Sequence, residues 1–123
     1  MMEIERKILL IDPDPRDREI LAALLREENY SVETGKSLKE ALEKLAQGGF
    51  HCLVMEVHLP EMKGYEAVPI IKNLDPNLKI IMMTNKNSRQ LEAKVREQDI
   101  FYYFIKSFGQ EELILAIRNA FSQ

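Results

Sequence analysis

The chain has a single cysteine, Cys52, among its 123 residues. One thiol cannot close an internal disulfide, so a disulfide-stapled fold is excluded and a reducing cytoplasm is the expected setting. Cys52 lies inside an apolar run, where a buried, inert thiol is expected. Long apolar stretches are also missing: no run approaches the roughly 20 residues a membrane-spanning helix needs. The opening Met1-Met2-Glu3-Ile4-Glu5-Arg6-Lys7 alternates charge and leads into a run too short for a secretion signal. There is no basic stripe. The balance of 20 acids and 17 bases, net -3, gives no support for nucleic-acid binding by this domain. Internal repeats, low-complexity segments and linkers are absent as well.

What remains is ordinary globular material, 46% hydrophobic and 30% charged, sufficient for one domain over 1–123 with a real core. Four short apolar runs organise it, and each ends in a side chain able to do chemistry. Lys7-Ile8-Leu9-Leu10-Ile11 ends in Asp12, and Cys52-Leu53-Val54-Met55 in Glu56. Ile80-Ile81-Met82-Met83 ends in Thr84, and Tyr103-Phe104-Ile105 in Lys106. Continuous apolar runs separated by helical stretches read as parallel strands buried on both faces. Met55, Met82 and Met83 are then core filler.

Strands are expected at about 7–12, 30–34 (short, at an edge), from 50 or 52 to 56, 79–83 and 101–105. Asp14 followed by Pro15 is a helix cap and a first helical residue. The helix they open should bury Ile20, Leu21, Leu24 and Leu25. Ser37 with Glu40 is a capping box opening a second helix that ends at Gly48-Gly49. A third spans 64–74, closed by Asp75-Pro76. The fourth, 88–97, is charged and offers only Leu91, Ala93 and Val95. The last carries Leu113, Ile114, Ile117, Ala120 and Phe121. Five strands alternating with five helices give a doubly wound parallel α/β sheet with right-handed crossovers.

Ligands of such a sheet bind beyond the carboxyl ends of its strands. Asp12, Glu56, Thr84 and Lys106 should therefore meet at one rim, a set suited to a phosphate or a small cation. A flavin or nucleotide site on the same architecture would need a phosphate-cradling loop after the first strand. Asp12-Pro13-Asp14-Pro15 is acidic and short of amide donors, which argues against that use.

These segments, with Leu53-Val54-Met55-Glu56-Val57-His58-Leu59-Pro60-Glu61-Met62-Lys63-Gly64 and Phe104-Ile105-Lys106-Ser107-Phe108, closely resemble the receiver domain of bacterial response regulators. The resemblance covers nearly the whole chain. It implies a flavodoxin-like fold with strand order 2-1-3-4-5. It also implies a phosphorelay role, in which a histidine kinase passes a phosphoryl group to an aspartate at the end of strand three beside a magnesium ion. On this likeness Asp12 matches the first acid, Thr84 the switch hydroxyl, Lys106 the phosphoryl-contacting lysine and Tyr103 the switch aromatic. The partner face would be helix four, strand five and helix five, serving a kinase, a downstream effector or a second copy.

Three positions depart from the family pattern. Glu56 stands where the acceptor aspartate should be, Pro13 where the second acid should be, and Ser107 where a proline usually follows the lysine. Glutamate moves the carboxylate outward by about 1 Å, a misplacement able to cost about 10²-fold in an in-line transfer. The longer arm can instead reach Lys106 and imitate part of the charge pattern of a phosphorylated site. Without an acid at 13, Asp12 and Glu56 would hold magnesium weakly or not at all. Asp14 is expected to cap its helix, and the His58 imidazole to face solvent. A cis bond without proline costs about 3–4 kcal/mol, so Lys106–Ser107 is expected to be trans. Lys106 should pair with Asp12 and Glu56. Thr84 suits turn capping and switching equally, and Tyr103 packing and signalling equally.

The expectation is an atypical receiver that acts as a protein-interaction module without enzymatic turnover. The alternative is a working receiver with an unusual acceptor. No output domain is visible within these residues, and both a stand-alone receiver and a piece of a longer regulator fit.

Overall fold

A computed structural model describes residues 5–122. Residues 1–4 lie outside it, and with them most of the amino-terminal stretch judged too short for a secretion signal. Residue 123 also lies outside.

Five strands and five helices follow one another: β1 (Lys7–Ile11), α1 (Pro15–Glu27), β2 (Ser31–Gly35), α2 (Leu38–Ala46), β3 (Cys52–Glu56), α3 (Gly64–Leu74), β4 (Lys79–Thr84), α4 (Arg89–Arg96), β5 (Tyr102–Ile105) and α5 (Gln110–Phe121). A short 3₁₀ turn, Lys106–Phe108, separates β5 from α5. All four strand pairings are parallel and the order is β2-β1-β3-β4-β5. The expected order 2-1-3-4-5 is therefore the observed one.

Alternation along the strands explains why the apolar runs are unbroken. Leu9, Ile11, Leu53, Met55, Ile80, Met82, Tyr103 and Ile105 face one layer with α2, α3 and Val95 of α4. Ile8, Leu10, Cys52, Val54, Ile81, Met83 and Phe104 face the other, with α1 and α5. Both faces are dry, so every position of a central strand must be apolar. Cys52 and the three strand methionines are fully buried, as expected. Burial pushes the Cys52 thiol up to about 12, far from the thiolate a reactive cysteine needs.

Helix starts follow local chemistry. The Asp14 carboxylate accepts from the amides of Arg16 (2.9 Å) and Asp17 (3.2 Å). Ser37 Oγ accepts from the Glu40 amide, while the Glu40 carboxylate reaches back to Lys36 rather than to Ser37. The first two amides of α2 have a second, distant cap: Glu61 accepts from Leu38 (3.0 Å) and Lys39 (2.9 Å). Past the end of α2, Gly48 takes φ 79°, a conformation glycine adopts without strain.

Several packing expectations need correction. In α1 the buried set is Leu21, Ala22 and Leu25, while Ile20 is 44% exposed and Leu24 only partly covered. In α5 Ala116 joins Leu113, Ile117 and Ala120, while Ile114 and Phe121 are half-buried. In α4 Val95 is buried, Leu91 packs at the margin and Ala93 is exposed. Adjacent apolar pairs such as Ile20-Leu21 and Leu24-Leu25 allow two helical phases, and the sheet selects one of them.

Candidate functional site

The carboxyl ends of β1, β3, β4 and β5 meet at one rim around a cavity of about 190 Å³. Its lining includes Asp12, Glu56, Thr84 and Lys106, the four residues the strand ends were expected to bring together, with His58 and Asp17 beside them. Glu56 is the last residue of β3. Directly after it the chain folds back tightly. The Gly64 amide donates to the Val57 carbonyl at 2.6 Å, and a Cβ on Gly64 would lie 2.8 Å from the Glu56 carbonyl oxygen. Glycine at 64 is thus what lets α3 start against the strand that carries Glu56.

Lys106 is the centre of the rim. Its ammonium donates to Asp12 Oδ2 at 2.7 Å, Glu56 Oε1 at 2.9 Å and Asp17 Oδ2 at 3.0 Å. The expected pairing with Asp12 and Glu56 is present. The third carboxylate, Asp17 in the first turn of α1, was not anticipated. It also accepts from Asn85 Nδ2 at 3.3 Å. The second oxygens of the two buried acids are engaged too, Asp12 Oδ1 by the Asp14 amide at 3.0 Å and Glu56 Oε2 by the His58 amide at 2.8 Å.

Little of this cluster is wet. Side-chain exposure is 9% for Lys106, 1% for Asp12, 9% for Glu56 and 28% for Asp17. Burial works against the Lys106 charge, but hydrogen bonds and Coulomb attraction from Asp12 and Glu56 outweigh it and hold the ammonium above the ordinary lysine value. For Asp12 burial is the larger influence. It raises the carboxyl above the usual aspartate value despite Lys106 and the Asp14 amide.

A divalent ion does not fit the residues as they stand. Pro13 offers no side-chain oxygen, and Asp14 spends its Oδ1 on two helix amides. Asp12 and Glu56 each give one carboxylate oxygen to Lys106 and the other to a backbone amide, whereas magnesium needs oxygens free to join a near-octahedral array. With the Lys106 ammonium between them, Asp12, Glu56 and Asp17 are spaced around a nitrogen rather than as a ligand set, and among the described residues no three acidic, histidine or cysteine side chains are arranged to hold a metal together.

The remaining residues take local roles. Thr84 is fully buried, and its Oγ1 accepts from the Lys86 amide at 3.0 Å, capping the turn after β4. Tyr103 is 6% exposed and packs in the core on one layer of the sheet, its hydroxyl donating to Asn87 Oδ1 at 2.7 Å. Burial pushes its phenol up to about 12, helped by the nearby Glu92 and Glu56 charges. His58 departs from expectation. Its imidazole is half-buried, Nδ1 lies 3.0 Å from Lys63 Nζ, and Nε2 is shielded without a partner. An isolated antiparallel bridge also pairs the backbones of His58 and Lys63. Lys106–Ser107 is trans, as expected.

Comparison with known proteins identifies the family and the fold. The family profile of the response regulator receiver domain matches residues 8–118. The response regulator protein TodT of Pseudomonas putida is 30% identical over 113 residues, which is 92% of this chain and 50% of TodT. Among solved structures, the beryllofluoride-activated NtrC4 receiver domain dimer superposes with a TM-score of 0.87 at 28% identity, covering 94% of this chain and 96% of that one. The signal receiver domain of an HD domain-containing protein from Pseudomonas fluorescens gives 0.89 at 28% identity, covering 98% and 89%. The chain belongs to the response regulator receiver family, the signalling domain of two-component systems. It spans about half, or less, of the length of the curated relatives it matches. No described helix is long and apolar enough to cross a membrane.

Proposed function

We propose that this receiver works as a protein-interaction module whose signalling shape does not depend on aspartyl phosphorylation. The observation that carries the reading is the Lys106 ammonium held between Asp12, Glu56 and Asp17. In a phosphorylated receiver of the resembled kind, the lysine would contact a phosphoryl group on the residue at position 56. Here the Glu56 carboxylate itself takes that contact. A buried charge pair so satisfied gives up its partner at a cost of about 3–5 kcal/mol, so an incoming phosphoryl donor meets an occupied lysine and an acceptor arm of the wrong length.

The partner would be a histidine kinase or a downstream effector, docking on α4, β5 and α5, or a second copy on the same face. The NtrC4 receiver is described as a dimer. Tyr102 and Leu115 are the large apolar side chains exposed on these elements, at 36% and 53%. No enzymatic turnover is assigned to the domain, and no magnesium-dependent step is needed for this role.

The test is incubation with acetyl phosphate and magnesium followed by intact-mass analysis. An unshifted mass is expected. A stable single phosphoryl adduct on Glu56 would overturn the reading and favour a working receiver with an unusual acceptor.

A further inference from the structure

The donor set of the rim does not suit the divalent ion that the family would place there, and something else already sits in it. We propose that Lys106 is the resident cation of this rim, that Asp17 closes the site around it, and that together they exclude a divalent ion. The inference rests on the reading of the domain as phosphorylation-independent and adds what holds its rim in shape.

Four separate elements end in the cluster: Asp12 follows β1, Asp17 lies in the first turn of α1, Glu56 ends β3 and Lys106 follows β5. An ammonium has three N–H donors, and the three carboxylates take all of them, at 2.7, 2.9 and 3.0 Å. Asp17 makes the difference between a pair of bonds and a full shell. It is aimed by its own helix. The amide of Asp17 donates to the Asp14 carboxylate, so the cap that starts α1 also fixes where Asp17 stands. The Asn85 amide group holds the same Asp17 oxygen from the β4 side. A divalent ion entering this site would have to push a buried ammonium away from three carboxylates toward Asp14, which also lines the cavity but already caps α1, and would find proline at 13.

The cluster carries three carboxylates against one ammonium, so it has an excess of negative charge that a cation other than Lys106 would relieve. Exclusion is thus a matter of occupancy, and removing the occupant should open the site. Replacing the arm with an apolar one of similar length, Lys106→Met, leaves three convergent carboxylates. It should bind Mn2+ at least about tenfold more tightly than the wild type, since a unit of positive charge within contact distance has been withdrawn.

Two measurements on the full chain decide this. Free Mn2+ is followed by its electron paramagnetic resonance signal during titration of wild type and Lys106→Met. The wild type should leave Mn2+ free up to about 1 mM, the weak end of protein sites for hard cations, and the variant should deplete it. Wild-type binding below that concentration, or a folded variant no tighter than wild type, would overturn the proposal. The second measurement does not need Lys106→Met to fold. Trace acylation of lysines with acetic anhydride, read by peptide mass, should leave Lys106 the least modified amine in the wild type. In Asp17→Asn, which exchanges a partly exposed side chain for a neutral one, its acylation should rise several-fold. Acylation of wild-type Lys106 as fast as that of exposed Lys39, or no change in Asp17→Asn, would overturn the role given to Asp17. Manganese binding without a phosphoryl adduct would sink this inference and leave the functional reading standing. An adduct without wild-type metal binding would do the reverse.

Discussion

Replacing Lys106 with methionine removes one charge and leaves two buried carboxylates, Asp12 at 1% and Glu56 at 9% side-chain exposure, without their shared partner. Asp17, at 28%, can turn to water. Stranding buried charge costs about 3–5 kcal/mol, a large share of the roughly 5–15 kcal/mol that holds a domain of this size. At about 4 °C per kcal/mol the melting temperature should fall by roughly 12–20 °C. The sign of the pH dependence gives a second handle. In the folded wild type burial already raises Asp12 above its ordinary value. Without Lys106 the main influence lowering it is gone, so the folded state holds protons more tightly than the unfolded chain. Stability of the variant should therefore climb as pH falls toward the carboxylate range. Adding Glu56→Met should recover part of the loss, because an apolar pair of similar volume often replaces a buried ion pair at little cost. Thermal and urea unfolding by circular dichroism, run across pH, measures all three. A cost for Lys106→Met under about 1 kcal/mol, with a flat pH response, would mean that the carboxylates are solvated and the cluster contributes nothing.

Other perturbations test neighbouring parts of the structure. Gly64→Ala brings a Cβ within 2.8 Å of the Glu56 carbonyl and should cost about 1–3 kcal/mol by overpacking, seen as an earlier urea midpoint; an unchanged midpoint would contradict the close approach. Glu61→Ala frees two α2 amides and should cost about 0.5–2 kcal/mol as a lost cap, with faster hydrogen exchange confined to the first turn of α2. The Tyr103 phenol, raised from 10.0 to about 12, stays protonated in the fold after the unfolded chain has begun to ionise. The fold should therefore lose stability as pH rises between those values, and tyrosinate absorbance should lose its last-titrating component in Tyr103→Phe, while the smaller upward shifts of Tyr30 and Tyr102 remain. A last component unchanged in that variant would contradict the assignment.

The layers of the fold could be read from the chain because its strands are buried on both faces. An unbroken run such as Ile8-Leu9-Leu10-Ile11 has one reading in a parallel sheet, and the polar residue ending it marks the rim. Asp12, Glu56, Thr84 and Lys106 were found by that rule alone, and all four line the cavity. Asp17 was missed because an acid in a first helical turn already has a sufficient local explanation in the helix dipole. The available signal was its position one turn into a helix that begins at the same rim. The partial burial of His58 was not legible because nothing in its sequence neighbours shows the fold-back to Lys63 that follows β3. The phase error at Ile20 has a similar cause: adjacent apolar pairs satisfy two helical faces, and only contact with β2 and β1 chooses between them. Thr84, weighed equally as turn cap and switch, is seen capping Lys86.

The central claim is that this rim is already filled, by Lys106 against Asp12, Glu56 and Asp17, and has no place for a phosphoryl group. Amide spectra of the labelled protein, recorded while beryllofluoride and magnesium are added, test it most directly. Resonances of residues around Glu56, Thr84 and Lys106 should stay where they are in the wild type, and a variant carrying both Pro13→Asp and Glu56→Asp should shift on the same additions. Saturable shifts around Glu56 in the wild-type protein would contradict the claim.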